Sequence, residues 1–180
     1  MSHPDHFALF ALPARFAIDE AALESAHKAV QSRVHPDRFA SGTAAERRVA
    51  MQWAARANEA YRTLKSPLAR AAYLCERAGV KIDADSNTAM PEPFLVQQME
   101  WREALEDARR AGDLVQLASL ARSTALERGR VVAEIGVAID QRDDHGAAAR
   151  LVRQLMFIQK FGDEIRAAEE SLSYPREASA

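Results

Sequence analysis

The sequence predicts an all-α protein, with a helical hairpin around a tight loop in its N-terminal half and a three-helix bundle in its C-terminal half. Three observations carry that expectation. Ala, Leu, Glu, Arg and Gln are abundant, whereas glycine and proline number only seven each among 180 residues. Runs of Val, Ile and Thr, which strands favour, are missing. Apolar residues recur at helical spacing between recognisable cap and stop signals.

Taken in order, these signals mark six or seven segments. Residues 5–12 (DHFALFAL) form a short helix that Asp5 caps and Pro13 ends. Asp19 caps EAALESAHKAVQSRV, which the His35-Pro36 step terminates. After the loop HPDRFASG, Thr43 caps a long helix, AAERRVAMQWAARANEAYRTLK. Ser66-Pro67 opens the next, with Pro67 suited to a first turn and Gly79 to a stop. The polar stretch KIDADSNTAMPEP, residues 81–93, reads as a linker between a domain at 1–80 and one at 94–180. Helices follow at about 94–111, 113–142 and 147–172, separated by Gly112-Asp113 and by Asp143-Asp144-His145-Gly146. Connections this short make neighbouring helices antiparallel, hence a bundle.

Composition excludes several function classes. A formal charge of −2 gives no global pull toward nucleic acid or an anionic membrane, and the arginines are dispersed among acids. No stretch reaches the ~20 apolar residues of a membrane span, and no secretory signal precedes the first helix, so a soluble, cytoplasmic protein is expected. The single cysteine, Cys75, excludes an internal disulfide and supplies no metal cluster. Its apolar helical setting makes it a buried, inert thiol.

The triplet His-Pro-Asp occurs twice. His3-Pro4-Asp5 lies at the chain end, where Asp5 serves as a helix cap, and His3 with His6 would be an incomplete metal ligand set. His35-Pro36-Asp37 lies between two amphipathic helices. At ~100° per residue, Leu23, Ala26, His27, Val30 and Val34 share one face of the preceding helix. Ala50, Ala54, Ala57, Tyr61 and Leu64 share one side of the following helix, so the two can close as a hairpin. Lys28, Arg33 and Arg38 then form a small basic surface beside the loop. Pro36 fixes its own φ and holds His35 extended, so the loop costs little entropy when a partner engages it. Catalysis by His35 and Asp37 would need a nucleophile, an oxyanion donor or a second carboxylate cluster, and the sequence offers none beside them.

These residues, with NEAYRTLKSPLARAAYL at the right distance downstream, resemble a J-domain, the module by which DnaJ-type co-chaperones stimulate ATP hydrolysis by DnaK-class chaperones. The resemblance implies that His35, Pro36 and Asp37 are the stimulating loop and that Lys28, Arg33 and Arg38 dock on an acidic chaperone surface. The basic face is thin for the family. Beyond the J-domain, LFALPARFAID, VHPDRFASGTAAE and the C-terminal helices are similar to the HscB family, the J-proteins of iron–sulfur cluster assembly, across residues 5–172. That similarity implies two partners, the specialised DnaK-class chaperone HscA and the cluster scaffold IscU. With no phosphate loop and one cysteine, the chain is expected to bind neither ATP nor the cluster and to have no catalytic residues or cofactor of its own.

Periodicity bears separately on where a client binds. In FLVQQMEWREALEDARR, Phe94, Trp101, Leu105 and Ala108 form a core stripe, whereas Leu95, Val96 and Met99 fall on the flank and back beside Glu100, Glu103 and Asp107. Either the bundle covers both sides or the second side docks a partner. In the last helix, Leu151, Leu155, Ile158 and Ile165 mark the core face, and Phe157 points about 120° away from Leu151. An aromatic side chain off the core favours the docking reading. The HscB pattern implies scaffold contacts at Leu95, Val96, Met99, Glu100, Glu103, Asp107 and Phe157, with Val96 shorter than the family's usual side chain there. A J-protein of the same build serving another client is the alternative.

Overall fold

A computed structural model describes residues 5–34, 42–82 and 90–173, and these are helical with no strand among them. Helix α1 is His6–Leu9, α2 Glu20–Val34, α3 Ala44–Lys65 and α4 Pro67–Arg77. Helix α5 is Glu92–Ala111, α6 Leu114–Gly136 with a π-helical turn Val137–Gln141 at its end, and α7 His145–Ser173. Residues 83–89 of the expected linker and the His35-Pro36-Asp37 loop lie outside the described residues.

Local chemistry explains most boundaries. The Ala8 N–H donates to the Asp5 carboxylate at 2.9 Å, but α1 stops at Leu9 and not at residue 12. Phe7 and Phe10 both enter the core, and Ala11 reverses the chain with a left-handed φ of 53°. Asp19 accepts from the Ala21 and Ala22 N–H groups to start α2. Thr43 and Glu46 form a reciprocal capping box at α3. Gly79, at φ 80°, closes α4 as the Val80 N–H reaches back to the Cys75 carbonyl, and Gly112, at φ 66°, does the same for α5.

The hairpin of α2 on α3 places Leu23 in one buried core with Ala60 and Leu64. Its polar seam is a His27 ring stacked on Tyr61 at 4.1 Å and within 3.1 Å of the Asn58 side-chain oxygen. Helix α1 lies across α3 and also reaches α4, where the His6 ring stacks on Tyr73 at 4.4 Å and its backbone N–H donates to the Tyr73 hydroxyl. His6 Nδ1 is buried with no hydrogen-bond partner. Burial therefore holds the His6 pKa below its ordinary value, against smaller opposing pulls from Glu59 and Asp5. A histidine whose folded pKa is depressed contributes full stability above its unfolded pKa, about 6.5, and progressively less as pH falls below it. The urea midpoint should accordingly drop between pH 7.5 and pH 5.5. In His6→Phe, which keeps the ring stack, that drop should shrink.

In the C-terminal half α6 and α7 run antiparallel and α5 lies along both, the bundle expected from the short connections. The core stripe of α5 is Phe94, Trp101, Leu105 and Ala108, all buried as the periodicity predicts. On α7, Leu155, Ile158 and Ile165 are buried, but Leu151 is only half-buried. It sits at the edge of a cleft between the start of α5 and α6, so its neighbour Val152 takes the core position instead.

The two halves share one apolar core, because α4 packs directly on α7. Cys75 is fully buried in that seam, its Sγ 3.6 Å from the His145 carbonyl, and burial pushes its thiol up to about 11. The Arg153 guanidinium, also buried, donates to the Ile82 carbonyl at 2.9 Å. Arg70 lies over the Phe16 ring at 4.9 Å and donates to the Leu64 carbonyl.

At the π-helical turn, the Asp140 carboxylate accepts the Phe16 and Ala17 N–H groups at 2.7 and 2.8 Å. A Cβ on Gly136 would lie 3.3 Å from the Phe16 ring, so only glycine gives this approach freely. Hydrogen bonds to a charged group contribute ~1.5–3 kcal/mol each. Because this carboxylate is half-exposed, Asp140→Ala is expected to lower the unfolding free energy by about 2 kcal/mol in urea titration.

Candidate docking surface

Helix α5 has two apolar sides, and the bundle covers one. Phe94 and Trp101 are each 5% exposed, whereas Leu95, Val96 and Met99 are 43, 51 and 72% exposed. Leu95 and Met99, four residues apart, stand one turn above each other on the exposed side of α5. Glu100 and Glu103 are exposed and carry no ion pair or hydrogen bond among the described residues. Asp107 differs from them, since Arg110 pairs with it at 3.3 Å. The surface is therefore an apolar row beside two unneutralised carboxylates, with a third already matched.

Phe157 corrects one expectation. Instead of pointing free of the core, it is half-buried and packed against it. Its ring lies parallel to Phe161 at 6.0 Å, and Phe161 in turn stacks on Trp101 at 5.6 Å. Phe94 meets Phe157 edge-on at 5.8 Å, and the Arg102 guanidinium lies over its ring at 5.5 Å. The angle on α7 was legible from the sequence, but it does not reveal that α5 leans on that flank. Arg102 was missed as part of the site. It follows Met99 by three residues and Leu95 by seven, so it continues the same row, and a charge in an apolar row was the available signal.

In the N-terminal half, Lys28 and Arg33 both stand on the exposed surface of α2, and Lys28 pairs with Glu24 at 3.1 Å. Part of the expected basic dock is thus internally neutralised. His35, Pro36, Asp37 and Arg38 lie outside the described residues. Of the other triplet, Asp5 caps α1 and pairs with Arg77 at 3.3 Å. No helix among the described residues is long and apolar enough to cross a membrane.

Comparison with known proteins places this architecture. A family model described as the HscB C-terminal oligomerisation domain matches residues 90–166. The co-chaperone HscB homolog of Bordetella parapertussis is 54% identical over 169 residues, covering 94% of this chain and 98% of that one. The chain belongs to the HscB co-chaperone family. A second HscB homolog, from Burkholderia mallei, is 52% identical over 94% of this chain and 96% of its own. The solved HscB of Vibrio cholerae is 36% identical and superposes with a TM-score of 0.80 over 94% of this chain and 99% of that chain. Human HscB, at 24% identity, shares the fold with a TM-score of 0.86 over 93% of this chain and 83% of its own. The all-α HscB fold, a J-domain followed by a helical C-terminal domain, is the fold of this chain.

Proposed function

We propose that this HscB-family chain is a bivalent adaptor of iron–sulfur cluster assembly, holding the scaffold IscU on α5 and α7 and presenting His35-Pro36-Asp37 to the chaperone HscA. The observation that carries the scaffold half is the exposed row of Leu95, Val96 and Met99 beside the partly open Phe157 ring. Apolar anchors of this kind supply affinity when a partner desolvates them. Glu100 and Glu103 at the rim select a partner with basic residues around an apolar centre, and Asp107 contributes less because Arg110 already holds it.

The chain itself performs no bond-making step in this reading. One surface binds the client, the other engages the ATP-bound chaperone, and the shared core keeps both on one body. Binding to this adaptor makes their encounter effectively intramolecular and raises the local client concentration at the chaperone. The chaperone's ATP hydrolysis then captures the client, which favours release of the cluster to acceptors. The direct test is calorimetric titration of the purified chain with the scaffold protein. Binding supports the client assignment, whereas its absence leaves a co-chaperone of this build serving another client.

A further inference from the structure

We propose that Arg102 is a positioning residue of this surface: held by Glu164, its guanidinium covers one side of the Phe157 ring and fixes that ring half-open beside Leu95 and Met99. The inference rests on the docking reading and goes beyond it, because Arg102 acts through Phe157 and not as a contact of its own.

Phe157 is only half-buried, so burial alone does not enclose its ring. Phe161 supports one side of the ring and Phe94 meets it edge-on. Arg102 adds a further restraint, with its guanidinium carbon 5.5 Å from the ring centroid. Arginine left to itself is long and mobile, and an exposed cation–π contact is weak. Here Glu164 of α7, one helical stretch beyond Phe157, pairs with Arg102 at 3.7 Å. The Glu164 backbone carbonyl also accepts from Arg109 of α5 at 3.0 Å. Both tethers join α5, which carries Leu95 and Met99, to α7, which carries Phe157. The aromatic anchor is thus set before a partner arrives, which removes an ordering cost from binding. The same pair leaves Arg102 electrically matched, so a cation beside Glu103 does not cancel the acidic rim.

The test is a double-mutant cycle by calorimetry with the scaffold protein, using Arg102→Gln, Arg102→Lys, Phe157→Leu and the Arg102→Gln/Phe157→Leu pair, each first shown to be folded by its thermal midpoint. Arg102→Gln should weaken binding about two- to fivefold, the range of an exposed cation–π contact, and Arg102→Lys should recover part of it. In the Phe157→Leu background, Arg102→Gln should change nothing further, because the ring it positions is gone. Equal weakening in both backgrounds would mean that Arg102 touches the partner or acts through charge alone, which overturns the inference. So would full binding by Arg102→Gln. Failure of the wild-type chain to bind would sink the docking reading instead. The Phe157 ring resonances of the free protein then decide the positioning alone, since they should move in Arg102→Gln and stay nearly in place in Arg102→Lys.

Discussion

Replacing His35 by glutamine is expected to remove stimulation of the chaperone's ATPase while leaving scaffold binding unchanged. A proline after His35 disfavours helical backbone at that position, so the sequence predicts an imidazole offered with little entropy left to lose. Glutamine retains a polar end but neither the flat ring nor the second nitrogen, so a surface shaped to the imidazole loses its contact. The two halves of the adaptor are separable by this substitution, since the Leu95 and Met99 row lies on α5 and His35 follows α2. Steady-state ATP turnover with and without scaffold reads one half, and calorimetry reads the other. Full stimulation by the variant would take the loop out of the proposed mechanism. A parallel loss of scaffold binding would show that the two surfaces are not independent.

The second large effect is expected at the proposed client surface. The triple variant Leu95→Ala, Met99→Ala and Phe157→Ala should lose at least ~2 kcal/mol of scaffold binding, since a single desolvated anchor typically costs that much. Leu95 and Met99 are exposed, so truncating them leaves no cavity in the bundle. Phe157 is another matter: it braces Phe161 and Phe94, and its removal opens space at the edge of the core. The thermal midpoint should fall in the triple variant for that reason alone, and a Leu95→Ala/Met99→Ala double variant keeps binding and folding effects apart. Binding that survives in both variants would move the client to another face.

The sequence read the helices well because their ends are chemical events within a few residues. Thr43 with Glu46, Asp19, Asp113 and the two left-handed glycines cap or stop helices through bonds to near neighbours, and those residue types rarely do anything else in such positions. Exposure on α5 was legible for the same reason, as a single helix fixes the angle between Phe94 and Met99. Where the reading slipped, long-range contacts had overruled a local one. Helix α1 ends early because Phe10 must turn into the core, and the last turn of α6 becomes π-helical beside Asp140, which holds a loop more than a hundred residues away in sequence.

By itself, then, the sequence determined the secondary structure, the family motifs and the apolar row of α5, all of them properties of a helix and its immediate neighbours. Tertiary structure alone decided that Phe157 packs on Phe161 and Phe94 and that Arg102 lies over its ring and pairs with Glu164. It also decided that Cys75, Arg153 and Asp140 weld the two halves into one core. The physical reason is common to these cases. Helical periodicity fixes the direction in which a side chain leaves its own helix, but what lies in that direction depends on how neighbouring elements pack, and packing angles are set by the whole core.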